Sequence, residues 1–403
     1  MKFLCISTVR FGRWVVFGTV TMVLFVCLLM TPPSPADAIP MFTRKYNLSC
    51  ERCHTFAPRL TPFGYAFYRA GFRLPSNEVK PLSLSTVASL FADISGNSNP
   101  GIGNSDFNFT TVKGLFATSL GKNLAVHAAY TFSWGEERSA FEEAWVQYNS
   151  AASGAFWSLR VGQLPVLSGY QLLGGRSFTL ADPMLFGANG PQTADGVGNF
   201  SLGGNQRGVE VGYSNGGLHT RLSWLNGVNE AGDGDPSWER NRFRDAALQA
   251  EYLFGSEGSS LGGFYYVGKT PFAGAGFTNH FQRAGLVGTW GRVLQPGKPG
   301  IPDLRLELNG GLVWGRDKIS AEGASANSYG TLWEADLYVR HRTAFSARYD
   351  TARPSDVPGT PNTEAYTFNL SHRPNDNVRL GLEYRTQRQP NDGAFLGRLR
   401  FMY

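Results

Sequence analysis

The residues best suited to do chemistry stand together near the start of the chain, where Cys50, Glu51, Arg52, Cys53 and His54 read C-x-x-C-H. Two thiols three positions apart can each form a thioether with one vinyl group of a single porphyrin, and the adjacent imidazole then lies under the iron as its proximal ligand. The expected site is therefore Cys50, Cys53 and His54, with His54 on the metal, and the expected cofactor is one covalently held haem c. A simple disulfide or half of a zinc site shares the Cys spacing. Zinc would need further Cys or His at ligand spacing, which the neighbouring sequence lacks. A disulfide would give His54 no role.

Such a haem is attached outside the cytoplasm, and the first residues supply the export signal. Lys2, Arg10 and Arg13 precede an apolar run from Trp14 to Met30, which passes through a proline-rich hinge to Ala36-Asp37-Ala38. Basic, apolar and small-x-small in that order predicts a signal peptide over residues 1–38, cleaved after Ala38. The competing reading is a retained anchor, since 17 apolar residues are near the lower limit for a spanning helix. Bulky Val26 before Cys27 argues against lipoprotein processing. Cleavage would remove Cys5 and Cys27 and leave Cys50 and Cys53 as the remaining thiols, both used by one haem. The chain has 37 basic and 31 acidic residues, a net charge of +6, of which about +4 stays after the leader is lost. That excess is too weak to argue for a nucleic-acid partner.

Residues 39–80 are expected to form a monohaem cytochrome c segment. It is rich in prolines and aromatics, among them Phe56, Pro58, Pro62, Phe63, Phe67, Tyr68 and Phe72, and a short helix is expected from Gly64 to Gly71. Some forty residues are few for a self-sufficient core. The segment should therefore dock inside or against the remainder of the chain.

That remainder, residues 81–403, has the pattern of an all-β transmembrane antiparallel barrel, with the haem segment plugging the lumen. No long helical period occurs, Gly is abundant, and short stretches alternate apolar and polar residues between turn signals. The last stretch, 393–403, puts Phe395, Leu399, Phe401 and Tyr403 on one face and Arg398, Arg400 and Met402 on the other. The stretch before it, 376–387, sets Val378, Leu380, Leu382 and Tyr384 against Arg379, Glu383 and Arg385. Charges at every second position are tolerable facing a wet lumen and costly facing lipid. About sixteen such strands can be counted, beginning at 82–93, 106–118, 123–134, 141–149 and 155–164. An even number places both chain ends on the periplasmic side. Short links at 120–122, 215–217 and 340–342 alternate with longer ones at 227–242, 269–278, 316–327 and 352–363, the asymmetry of outer-membrane barrels. A secreted β-sandwich also alternates, but it does not explain the two kinds of link.

The connection from Pro165 to Gly204 is the longest, and a loop of that length suggests function. It could fold inward, because Phe178, Met184, Leu185 and Phe186 would prefer cover to water; a surface cap is the other reading. Candidates for a distal haem ligand are Met41, His127, His219 and Met402, the last three facing the lumen near the expected periplasmic turns. His341 and His372 sit at turns and are weaker candidates. Acidic groups in the outward links, Glu136 with Glu137 and Glu230, Asp233, Asp235 and Glu239, could attract hard cations or be solvated charge. No nucleophile, base and oxyanion set points to a hydrolase.

Taken together, Phe42, Arg44 and Lys45, the motif Cys50, Cys53 and His54, and the run Pro58-x-Leu60-Thr61-Pro62-Phe63-Gly64 with Phe67, Arg69, Gly71 and Phe72 resemble the fused monohaem cytochrome-porins of the outer membrane, of the iron-oxidising type. The likeness covers about thirty residues specifically and the rest by architecture alone. It implies a haem plug in a sixteen-stranded barrel that takes electrons from an extracellular donor such as Fe(II) and passes them to a periplasmic c-type cytochrome, an Fe(II):cytochrome c oxidoreductase activity. The alternatives are a solute porin whose haem segment plugs or senses, and a peroxidase-like haem enzyme with an open iron position.

Overall fold

The structure, a computed structural model, describes residues 41–74, 88–99, 104–133, 140–151, 154–167, 178–181, 183–184, 204–227, 244–272, 277–297, 303–318, 323–353, 362–388 and 391–402. The expected signal peptide lies outside the described residues, as do Leu185, Phe186 and the loop acids Glu136, Glu137, Glu230, Asp233, Asp235 and Glu239.

The N-terminal segment consists of α1 (Met41–Tyr46), α2 (Cys50–Cys53), β1 (His54–Phe56), β2 (Arg59–Leu60) and α3 (Pro62–Arg69). Sixteen longer strands follow: β3 (Ala88–Asn99), β4 (Asn104–Leu120), β5 (Leu124–Ser133), β6 (Ala140–Asn149), β7 (Phe156–Pro165), β8 (Asn205–Asn215), β9 (Leu218–Leu225), β10 (Asp245–Phe254), β11 (Ser259–Phe272), β12 (Phe277–Gln295), β13 (Leu304–Lys318), β14 (Ser325–Val339), β15 (Thr343–Arg353), β16 (Thr363–Asn375), β17 (Val378–Arg388) and β18 (Asn391–Met402). Each pairs antiparallel with its sequence neighbours, and β18 closes the ring on β3 with Phe401 opposite Ala92. Closure leaves no unpaired sheet edge, the condition for crossing a bilayer with strands.

The two-residue period decides which side chains go where. Trp157, Leu222, Trp224, Leu261, Leu286 and Trp333 are exposed on the outer face. Their strand neighbours Arg160, Arg221, Ser223, Ser260, Val287 and Glu334 are buried on the inner face. On β17, Leu382 and Tyr384 point outward while Arg379 and Glu383 point inward, as the alternation predicts. Much of the inward charge is matched by opposite charge. Arg283 meets Asp317 at 2.9 Å, Arg348 meets Asp350 at 2.7 Å, and Arg160 and Arg221 share Glu210 at 3.4 and 3.7 Å.

Tight turns join β4 to β5, β8 to β9, β14 to β15 and β16 to β17, so these links mark one end of the barrel, where β3 begins and β18 ends. The turn between β14 and β15 puts two consecutive non-glycine residues, Arg340 (φ 47°) and His341 (φ 48°), in the left-handed region. Such a pair suits the right-handed strand twist but carries a steric cost for side chains.

Two expectations are corrected at the other end. The links expected at 269–278 and 316–327 are shortened by strand at both ends, because β11 and β12 stay paired out to Phe272 opposite Phe277, and β13 and β14 out to Lys318 opposite Ser325. The polar and glycine residues there extend a ladder instead of ending it. Likewise β3 starts at Ala88 and runs through Gly96 and Asn97 to Asn99, well past the expected end at residue 93, because β4 and β18 both pair with this stretch.

Candidate functional site

The C-x-x-C-H residues occupy α2 and the first residue of β1. One helical turn carries Cys50 and Cys53, three apart and so on one side of the helix. His54 follows in extended conformation, φ −127° and ψ 131°. Its Nδ1 lies 3.2 Å from the Arg59 carbonyl, across the small ladder in which His54 opposes Leu60. With Nδ1 donating to that carbonyl, Nε2 is the nitrogen that keeps a lone pair for a metal.

Helix α3 holds this turn from below. Thr61 is its N-cap, the hydroxyl accepting from Gly64 N at 3.1 Å, with Pro62 at the first helical position. The helix therefore begins two residues before the expected Gly64. Gly64 is required by contact, since a Cβ there would lie 2.1 Å from the Cys53 carbonyl oxygen. Phe67 and Phe72 are buried, and with Met41, Ala117, Trp145 and Leu164 they form a cluster against which Cys53 and Phe63 pack.

Neither thiol is set up as a nucleophile. Burial raises the Cys50 pKa, against the opposing charge of Arg373; burial raises Cys53 to about 11, with Cys50 adding and Arg52 opposing. Thiols kept protonated in this way are unlike the acidified cysteines of disulfide exchange or thiolate catalysis. The two are not joined to each other. Among the described residues, no group of three or more His, Cys, Asp or Glu is placed to hold a bare metal ion. Two unjoined thiols on one helical turn, followed by an imidazole whose Nδ1 is oriented by a carbonyl, are a donor set suited to thioether attachment and axial ligation of one haem.

The segment bonds side chains on strands from all round the barrel. Met41 N donates to Ser89 Oγ at 2.8 Å on β3, and Lys45 Nζ to Thr118 Oγ1 at 2.7 Å on β4. Gln147 on β6 donates to the Arg69 carbonyl at 2.9 Å, and Arg69 pairs with Glu251 on β10 at 2.7 Å. Arg59, wholly buried, bonds Glu334 and lies 3.2 Å from Asp336, both on β14. Arg379 of β17 donates to the Ala57 carbonyl at 3.2 Å. At the tight-turn end, Glu51 meets His341 Nε2 at 2.9 Å, and hydrogen bonding to His341 holds the Glu51 carboxyl down at about 2 against the cost of burial. That pair also fixes one of the two left-handed residues of the turn.

From the opposite end, the long connection after β7 reaches inward. Phe178 is buried with its ring 5.5 Å from Phe56 and 5.9 Å from Tyr338. Leu180 N and Ala181 N donate to Glu383 at 2.6 and 2.7 Å, while Arg348 donates to Thr179 Oγ1 and to the Ala181 carbonyl. Met184 joins an apolar cluster that includes Leu225, Phe264, Tyr266 and Phe281. The inward fold of this loop is thus the correct reading for its described part, and the surface cap is not.

The distal candidates separate. His219 has both ring nitrogens engaged, Nδ1 with Ser214 Oγ and Nε2 accepting from Arg221 Nε, each at 2.6 Å. Met402 is buried on the inner face, beside the turn that Asn377 closes by bonding its backbone. Met41 lies in the cluster that Cys53 packs against, and His127 stacks on that cluster's Phe72 and Trp145 at 5.8 and 5.0 Å. Met41 and His127 therefore stand at the cluster that Cys53 packs against, and His219 is committed elsewhere. The motif gave no hint of Arg59, Glu51 with His341, or Arg379. The one signal available for Arg59 was Glu334-x-Asp336, two acids on the inward face of one strand.

No protein-family model and no curated protein sequence matches the chain. Solved structures do. An anion-selective porin from Comamonas acidovorans superposes with TM-score 0.54 at 13% identity, over 78% of this chain and 99% of that one. The chain has a porin-type barrel fold. OmpT of Vibrio cholerae, in a form lacking loop L8, gives TM-score 0.53 at 10% identity over 78% and 98%. The outer-membrane channel DcaP of Acinetobacter baumannii gives 0.53 at 10% over 78% and 97%.

Proposed function

We propose that this chain is an outer-membrane c-type cytochrome, in which one haem, attached through Cys50 and Cys53 and ligated by His54, passes electrons between an extracellular donor and a periplasmic acceptor. What supports the reading is the set of contacts around the C-x-x-C-H turn: in a chain with a porin-type barrel, Glu51 meets His341 of a tight turn and His54 Nδ1 lies on the Arg59 carbonyl. When bound, haem c supplies a one-electron iron centre. Arg59, tied to Glu334 and Asp336, fixes the strand whose carbonyl orients the imidazole. Phe56 and Phe178 close the outer side of the segment against water, and Glu51 with His341 anchors its inner side at the rim. In this reading the segment is the lumen plug and both ends of the barrel chain are periplasmic, so a soluble cytochrome c meets the site from the tight-turn end. A hydrocarbon core of ~30 Å is too thick for one haem to reach both aqueous faces. The outer donor, such as Fe(II), must therefore enter the barrel or be served through the loop side.

The test is direct. Fe(II) should reduce the haem of the purified full-length protein, and a periplasmic c-type cytochrome should then reoxidise it. A haem inert to both would end the proposal. The second reading, a solute porin with a plugging or sensing haem segment, draws on the shared porin fold and the inward-folded loop. Ion conductance in a planar bilayer that persists with the segment seated would favour it.

A further inference from the structure

Six of the buried arginines on the described barrel strands have a carboxylate within 3.7 Å, and Arg379 does not. It is more than nine-tenths buried, and its guanidinium bonds only neutral groups: the Ala57 carbonyl at 3.2 Å, the Phe178 carbonyl and Ser371 Oγ at 3.2 Å. Its Nε has no hydrogen-bond partner, and neither has the Nε of Arg373. The charged groups acting on Arg379 are chiefly cations, Arg400, Arg398 and Arg373, against Asp93. Asp93 is already held at two points by Arg400, 2.6 Å each. An inward wall at the tight-turn end thus carries buried positive charge in excess of the carboxylates that face it. A buried cation left uncompensated is strongly unfavourable.

The wall also lies along the haem segment. Arg379 touches Ala57, three residues beyond His54, and its guanidinium lies 5.3 Å from the Phe56 ring. Arg373 stands beside the Cys50 thiol. Guanidinium groups bind carboxylates through paired charge-assisted hydrogen bonds. A haem fixed at Cys50, Cys53 and His54 brings two such carboxylates, its propionates, to a constant place. We propose that Arg379, assisted by Arg373, is the binding site for a haem propionate, supplying the anion that the polypeptide itself omits. The proposal rests on the haem reading above. A diffusible anion such as phosphate would have the same chemistry, and the experiment separates the two sources.

The full-length protein is purified in detergent as wild type, Arg379→Gln and Arg379→Lys, with barrel folding checked by heat-modifiable mobility. A pyridine haemochrome spectrum first establishes the covalent haem, so a failure of the haem reading is seen before and apart from any effect of Arg379. Removing a cation beside the haem favours the oxidised iron. Arg379→Gln should shift the reduced-to-oxidised equilibrium roughly tenfold, a fall of about 59 mV for a one-electron couple, and Arg379→Lys should restore most of it. Infrared difference spectra of haem labelled with ¹³C in its propionates should show a carboxylate band that moves in Arg379→Gln. If Arg379→Gln does not fold, Arg373→Gln is expected to move the same band, and the wild-type band should be displaced from that of a free haem peptide. An unmoved band and potential in a folded, haem-loaded variant would overturn the proposal. So would a wild-type band insensitive to Arg379 together with phosphate binding that haem-free Cys50→Ser/Cys53→Ser protein shows and its Arg379→Gln derivative loses.

Discussion

Replacing Arg59 by Met is the most informative single perturbation of how the segment is seated. The side chain is wholly buried and bonds Glu334 while lying 3.2 Å from Asp336; Tyr338 and Glu307 stand beside them, the Tyr338 hydroxyl donating to Glu307 at 3.0 Å. Burial is the largest single influence and works against the guanidinium charge, but Glu334, Asp336, Tyr338 and Glu307 together outweigh it and hold the Arg59 pKa above its ordinary value, so it is cationic at any working pH. At an effective dielectric of about 20, the Asp336 contact alone attracts Arg59 by about 5 kcal/mol before desolvation is subtracted. Removing one partner of such a buried set costs about 3–5 kcal/mol net, because the acids stay buried and unpaired. That corresponds to roughly a hundredfold to several thousandfold more frequent opening of residues 54–60 from the wall. Arg69 with Glu251 and Lys45 with Thr118 keep the rest in place. Hydrogen exchange of the 54–60 amides in detergent-solubilised protein measures this opening. Arg59→Met should accelerate it, and Arg59→Met with Glu334→Gln and Asp336→Asn should recover much of the loss. Exchange in a folded Arg59→Met barrel as slow as in wild type would refute the idea that this ion set seats the segment.

Three further outcomes follow from the same geometry. Glu51 is held at about 2 by its hydrogen bond to His341, below the ordinary 4.5, so the stabilisation it provides is complete above pH 4.5 and is lost as pH falls from there toward 2; His341→Ala should abolish that acid transition as followed by amide exchange at the rim. Gly64→Ala places a Cβ 2.1 Å from the Cys53 carbonyl oxygen and should cost about 1–3 kcal/mol, read as a lower melting temperature and reduced haem attachment. His219→Gln should leave the haem absorption spectrum unchanged, because both nitrogens of His219 already serve Ser214 and Arg221; a changed spectrum would show that His219 leaves those partners to bind iron.

The barrel was legible because its signal is periodic and redundant. Each strand repeats the same choice between lipid and lumen, so Arg379 and Glu383 against Leu382 and Tyr384 state it as clearly as Phe395 and Phe401 do. Strand ends were less legible, since Gly96-Asn97 or Lys269-Thr270 can end a ladder or extend one, and only the partner strand decides. The C-x-x-C-H motif was legible as candidate chemistry, because the spacing proposed to hold a porphyrin is local in sequence and does not depend on the fold. What holds it was not. Arg59 with Glu334 and Asp336 joins residues some 275 positions apart, and a single sequence carries no sign of such a pairing. Helix α3 could have been started correctly, as Thr61-Pro62 is an N-cap followed by a proline at the first turn. The inward loop was foreshadowed by Phe178 and Met184, apolar residues with no reason to stand in water, while its clamp between Arg348 and Glu383 depends on the closed ring.

The central claim is that His54 ligates a haem bound to Cys50 and Cys53 within this barrel. Absorption and electron paramagnetic resonance spectra of the purified full-length protein, with a pyridine haemochrome assay, test it most directly. One haem c per chain is expected, resistant to extraction by acid acetone, lost in Cys50→Ser/Cys53→Ser, and altered in axial ligation in His54→Ala while the barrel stays folded. A folded wild-type barrel without covalent haem, or a spectrum that His54→Ala leaves untouched, would contradict it.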